Sequence, residues 1–361
     1  MNTQTKIFLK DKFKGYYAKT RIPAPAQIEK REFGVGTLER KIAVRHKSYE
    51  SENELNSYLR RDAPYYISYS TAYYEFPLNQ PMSTKNWLGA DLVFDIDVDM
   101  KFLNNSGMAD AKNETRKLIN FLTGDFSFSD DELKINFSGS KGYHIHLANP
   151  AVLELGKDER REIVDYVSAT GLNYKWDSLW KRRVENKSIN FIKNSDVSAF
   201  QEINGIGKEK AKKIFDKKAD LVGQIERMGI GNVEGFSGFR KSLFDKITDE
   251  MKVPFQGDTD KSVTADTSKL IRIPDTLHGG TGLIAKRVVY KDFEGFDPLR
   301  DAIAFEDEEI KIKIDENYEG KIKFEMNERE FEVKGKYATL PMYAGVYLML
   351  KGVCDVVWVK Y

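Results

Sequence analysis

Cysteine is almost missing: Cys354 stands alone in 361 residues. One thiol excludes an internal disulfide framework and any cysteine-based structural zinc site. Histidine is scarce too, with four, at positions 46, 144, 146 and 278. No run of roughly 18 apolar residues occurs, which excludes a transmembrane helix. The opening MNTQTKIFLKDKFKGYY mixes charge among its apolar residues and has no signal-peptide core. A soluble cytoplasmic protein is expected. Excess charge of either sign is lacking, since 57 Lys and Arg face 56 Asp and Glu, a net +1. Near-neutrality does not exclude a nucleic-acid partner, because acids and bases can be segregated into patches. No internal repeat, no low-complexity tract and no G-x-x-x-x-G-K-[ST] phosphate loop is found.

What is present can build a core. Hydrophobic residues make up 41% and aromatics 12% of the chain, which excludes global disorder. The length suggests two or three units of about 150 residues each. Residues 1–75 read as helix-rich, with strands expected from Arg31 and over Leu38–Tyr49. The Arg21–Pro25 stretch breaks the first helix. Residues 88–99, LGADLVFDIDVD, read as one strand, and 133–147 as strand, glycine turn, strand. Helices are expected over 109–123 and from Lys157 to Trp180. The tail predicts strands at Glu309–Asp315 and Lys321–Met326, then an apolar helix from Pro341 to Leu350. The fold class is α/β or α+β, with mixed sheets flanked by helices. Residues 1–180 and 251–361 form two parts of a catalytic core, and lysine-rich 181–250 a small helical insertion.

Three segments suit chemistry. In Asp95-Ile96-Asp97 both carboxylates project from one strand face, about 6–7 Å apart. Such a pair needs a compensating cation, and Mg²⁺ or Mn²⁺ takes hard oxygen ligands of this kind. The alternative is a charged edge that deters strand pairing. In Ser138-Gly139-Ser140-Lys141-Gly142-Tyr143-His144-Ile145-His146, glycines permit a tight turn and close ligand approach, while Ser138 and Lys141 suit phosphate. An ordinary β-hairpin explains the same residues without a ligand. The stretch Asp260–Gly282 offers Asp260 and Asp266 as carboxylates, Arg272 as a phosphate fork, and His278 before a Gly pair. Three of the four histidines fall in the two glycine-rich segments. Together these elements suggest metal-dependent phosphoryl or nucleotidyl transfer.

In order and spacing, REFGVG at 31–36, LVFDIDVD at 92–99, FSGSKGYHIHL at 137–147, LIRIPDTLHGGTGL at 270–283 and YAGVYLMLKGVCDVV at 343–357 resemble the small catalytic subunit of archaeal and eukaryotic DNA primases. The resemblance implies a primase that starts short RNA, or also DNA, strands de novo on single-stranded DNA. It implies metal ligation, by Mg²⁺ or Mn²⁺, at Asp95, Asp97 and a third acid. Asp260 is preferred for that acid by its placement, with Asp266 as the rival. It maps a nucleotide site onto Ser138, Gly139, Lys141, Gly142, His144, Arg272 and His278. It implies a large regulatory subunit as partner, with single-stranded DNA and nucleoside triphosphates as substrates and no membrane. Residues 100–125 contain no Cys or His where the family carries a zinc knuckle, so no zinc is expected there.

Weaker signals remain. The run Ile203–Ala211, INGIGKEKA, resembles half of a helix-hairpin-helix, which would meet a DNA phosphate; a glycine-capped turn with a solvated lysine helix is the alternative. Arg31 is read either as a nucleotide or template contact or as a salt bridge, and Cys354 as a small core residue. Competing functions are a repair or plasmid primase-polymerase, a D-x-D glycosyltransferase, and a non-catalytic nucleic-acid-binding protein.

Overall fold

The computed structural model describes residues 1–171, 178–233, 235, 237–255 and 263–357. The chain forms two compact units. The first combines Met1–Arg116, Ser127–Glu162 and Phe255–Tyr361; the second combines Lys117–Phe126 and Ile163–Pro254.

The first unit holds the strands. They begin with β1 Phe33–Gly36, β2 Val44–Lys47, β3 Tyr66–Ser70, β4 Ala72–Tyr74 and β5 Trp87–Ala90. Next come β6 Leu92–Asp97, β7 Lys134–Phe137, β8 Gly142–Leu147, β9 Leu270–Arg272 and β10 Arg287–Val288. The tail adds β11 Glu309–Ile314, β12 Ile322–Met326, β13 Arg329–Val333, β14 Tyr337–Pro341 and β15 Cys354–Val356. Two four-stranded sheets, β2-β1-β3-β9 and β10-β7-β8-β6, dominate; three smaller ones accompany them. Every described pairing is antiparallel, so the expected mixed sheets resolve to an α+β arrangement.

Alternation explains β6, the strand at one end of its sheet. On one face of β6 and β8, Phe94, Ile96, Tyr143, Ile145 and Leu147 are buried in the core. Asp95 and Asp97 point to the other face, as the period of two requires. The apolar helix Met342–Leu350 is buried along eight of its nine residues, as its composition predicts. Cys354 is buried, and its thiol is pushed up to about 12 by burial and then by Asp355.

Several expected elements are shorter than predicted. The stretch 88–99 is two strands divided at Asp91, whose N–H bonds Thr71 O (2.9 Å) and whose carboxylate accepts from Arg31 and Tyr73. Leu38–Tyr49 yields only β2, because Thr37 N–H bonds Arg40 O (2.9 Å) and turns the chain. The helix Lys157–Val167 ends before a left-handed Ala169 (φ 56°), and the next described helix runs Ser178–Asn194.

The second unit is helical. Its helices include Ser178–Asn194, Val197–Gln201, Lys208–Asp216, Lys218–Met228 and Ser237–Met251. Trp180, Val184, Ile192, Phe200, Ile214 and Ile247 form its interior. The guanidinium of Arg183 lies over Phe121 and pairs with Asp125 at 2.6 Å.

Candidate active site

The site is built on the β6–β8 pair. Register sets Asp95 opposite His144 and Asp97 opposite Gly142. His144 Nε2 lies 3.4 Å from Asp95 Oδ1. His144 is pushed down to about 3, first by burial and then by the charges of Arg272 and Lys41. The contact is therefore a neutral imidazole beside a carboxylate rather than an ion pair. His146 is pushed down to about 3 as well, by burial and then by its neighbour His144. Its Nδ1 meets the Tyr69 hydroxyl at 3.4 Å.

The segment Ile273–Ala285 supplies the second wall. Tyr16 donates its hydroxyl proton to Asp275 O (2.7 Å), and Leu277 N–H donates to the Tyr17 hydroxyl (3.2 Å), so the first helix braces it. His278 N–H bonds Leu283 O at 2.8 Å, closing the loop. His278 lies well below its usual pKa because of burial and nearby Arg272, Lys41 and Lys351. Its Nδ1 accepts from Gly280 N–H (3.1 Å). In a neutral ring that places the remaining proton on Nε2, which is then a donor.

Arg272 stands on β9 opposite Ser68 of β3. Its guanidinium lies 5.1 Å from the centre of the Tyr66 ring, and Tyr66 meets His278 edge-on at 5.5 Å. Burial lowers the arginine's pKa, while Tyr66, Tyr17, Asp95 and Asp97 oppose that shift. Nη1 is buried with no hydrogen-bond partner among the described residues.

The glycine turn brings a loop and a strand into close approach. Gly139 has φ +80°, and a Cβ there would stand 2.9 Å from His278 Cβ. A Cβ on Gly142 would stand 1.8 Å from Ile96 O. The two glycines thus admit the neighbouring loop and strand. Ser138 Oγ accepts from Ser140 N–H and Gly142 N–H, both at 3.3 Å, and retains its own proton to donate. Thr281 donates its hydroxyl proton to Gly139 O and so ties the two loops together. Lys141 Nζ lies 3.5 Å from the exposed carboxylate of Asp99.

Asp260 lies outside the described residues. Asp266 is exposed, and its Oδ1 accepts from Ser268 N–H (2.8 Å) and Ser268 Oγ (2.7 Å), which makes it a turn residue. Arg31 resolves to the salt bridge: it is 1% exposed, with Nη2 on Asp91 (2.7 Å) and Nη1 on Ser70 O and Thr71 O. His46 sits apart, 3.3 Å from Glu32. Sequence reasoning missed Lys41, Lys351, Tyr66 and Thr281. Lys351 and Thr281 lie inside segments that carry the resemblance, whereas nothing local marks Lys41 or Tyr66.

A family description, "DNA primase small subunit", matches residues 94–290. That span holds both aspartates, the glycine turn and the arginine–histidine loop. The chain belongs to the DNA primase small subunit family. Curated relatives named DNA primase small subunit PriS agree along nearly the whole length. The protein of Methanococcoides burtonii is 34% identical, over 98% of this chain and 99% of its own. That of Archaeoglobus fulgidus is 35% identical, over 96% and 98%. That of Methanothrix thermoacetophila is 33% identical, over 99% and 100%. As a primase small subunit, the chain is a nucleotidyltransferase of DNA replication, and the glycosyltransferase reading falls. Primase chemistry depends on divalent metal ions. The donor set fits them: two hard carboxylates on one strand face, beside a cationic wall. No group of three His, Cys, Asp or Glu suited to a metal occurs among the described residues.

Proposed function

We propose that this primase starts and extends short RNA primers on single-stranded DNA, with Mg²⁺ or Mn²⁺ held by Asp95, Asp97 and Asp260. The observation that carries the reading is the convergence of Asp95, Asp97, His144 and His278 on a half-buried Arg272 whose Nη1 is itself buried without a hydrogen-bond partner among the described residues.

Bound divalent ions would supply the charge that activates a 3′-hydroxyl and steadies the displaced pyrophosphate. The chain's own groups bind and orient. Arg272 Nη1, buried and without a partner among the described residues, would bond the triphosphate. His278 donates its Nε2 proton, and Ser138 its hydroxyl proton, to phosphate oxygens. Lys41, Lys141 and Lys351 add positive charge where the transition state is most anionic. His144 Nε2 holds the orientation of Asp95. Gly139 and Gly142 let these groups converge.

The remaining assignments follow the same reading. No zinc is held within 100–125. A larger regulatory subunit completes the enzyme, in keeping with relatives that are themselves named small subunits. The insertion 181–250 interrupts a core made of 1–180 and 251–361. No helix among the described residues is long and apolar enough to cross a membrane, and the proposed location is the cytoplasm. The test is primer synthesis on unprimed single-stranded DNA with nucleoside triphosphates and Mg²⁺ or Mn²⁺, with and without the large subunit. Dinucleotides and longer products are expected. Their absence under every condition overturns the proposal.

A further inference from the structure

The charge of the chain is unevenly divided. The helical unit carries 18 basic and 14 acidic residues, a net of +4, and the rest of the chain 39 and 42, a net of −3. The segment 208–218 alone, KEKAKKIFDKK, has six lysines and two acids, which accounts for the whole +4. Lys208, Lys210, Lys212, Lys213 and Lys217 are exposed. No carboxylate among the described residues pairs with them. Elsewhere in the same unit lysines are paired: Lys193 with Glu226, Lys246 with Glu250, Lys252 with Asp249. Lys208 and Lys212, Lys210 and Lys213, and Lys213 and Lys217 stand three or four residues apart, so like charges repel along the helix.

A groove of about 390 Å³ opens beside this helix. Among its described lining residues the charged ones are Lys210 and Lys213, joined by Gly205, Gly238, Phe239 and Ser242. Gly205 and Gly238 have no atom within 4 Å of where a Cβ would stand, so one wall is bare backbone. Ile203 and Ile206 are buried and fix the turn from beneath. A concave surface with two unpaired cations, a hydroxyl and open peptide backbone matches a chain of phosphates.

We propose that this groove in the helical unit, rimmed by Lys210 and Lys213, seats the phosphate backbone of DNA. The choice of DNA as the polyanion rests on the primase reading; the groove and its charge do not. The test is fluorescence anisotropy of the full chain with labelled single-stranded and duplex DNA over a salt series. Lys210→Glu/Lys213→Glu should weaken binding at least 10-fold. Lys210→Gln/Lys213→Gln should flatten the plot of log affinity against log salt by about 1.4 for a single strand or about 1.8 for a duplex, which tells the two apart. Both side chains are exposed, so the variants should keep the wild-type melting temperature. Lys181→Glu/Lys187→Glu changes net charge equally and should leave the slope alone; an equal loss there overturns the proposal, as does an unchanged slope in the groove variants. Asp95→Asn should lose primer synthesis and keep DNA binding. If it also abolishes binding, DNA is held at the catalytic carboxylates and the groove reading is wrong. Groove-dependent binding in a chain that makes no primer would refute the primase reading alone.

Discussion

The two units use charge in opposite ways. In the first unit His144, His146 and His278 are buried on a strand and a loop beside a half-buried Arg272, and desolvation lowers the pKa of all four. In the helical unit Lys208, Lys210, Lys212, Lys213 and Lys217 stand in solvent, where water and salt screen them. The first arrangement depends on geometry and fails when a loop moves. The second depends on charge density and tolerates the loss of any one member. Chemistry on a phosphate needs the first kind, because a donor is strong only where water is excluded. Holding a long polyanion needs only the second.

That contrast can be broken by experiment. The largest effect is expected at the carboxylates: Asp95→Asn or Asp97→Asn should lower primer synthesis by ~10³-fold with an unchanged circular dichroism spectrum. Residual synthesis near wild type would sink the metal assignment. Gly142→Ala comes next, since its Cβ would collide with Ile96 O. It should cost ~3 kcal/mol in a denaturant titration, or prevent folding. A loss under 1 kcal/mol would mean the β6–β8 register is wrong.

Acid should separate the units as well. His146 is near 3 in the folded chain against 6.5 in an exposed imidazole, and His278 lies well below 6.5. Their folded values are lowered, so the unfolded chain binds more protons below pH 6.5, and stability falls as pH drops from 7 toward 3. At pH 5 His146 alone should cost ~2 kcal/mol, and His278 acts in the same direction. His146→Gln should flatten that slope. A melting temperature indifferent to pH between 7 and 5 would contradict burial of the neutral rings. Arg272→Lys, which cannot form a fork above Tyr66, should raise the KM for nucleotide about 10-fold with less change in kcat. Smallest of all, Lys212→Gln should shift stability by under ~0.5 kcal/mol. A larger change would show that its charge is structural.

The sequence revealed these features unevenly. The alternation Phe94-Asp95-Ile96-Asp97 made β6 and its outward acids legible, because strand period and burial coincide there. The apolar helix Met342–Leu350 was legible for a similar reason. The break at Asp91 was not, since it depends on Arg31 and Tyr73, which reach it from other parts of the chain. The role of Gly139 was hidden because its neighbour His278 is remote in sequence. Lys41 stands in an ordinary charged hairpin and gains meaning only beside His144 and His278. Asp266 matched the carboxylate pattern by type, but its local hydrogen bonds to Ser268 had no sequence mark.

The bond from Thr281 to the Gly139 carbonyl has a further meaning for how the protein is made. Its two halves lie on either side of the whole helical stretch 163–254. On a translating ribosome, Asp95, Asp97 and His144 emerge first, while Arg272 and His278 follow roughly 6–26 s after His144 at about 5–20 residues per second. Until then the nascent chain has its acids without their cationic wall. The candidate site is therefore among the last features to close, and a chain truncated before Arg272 holds half of it.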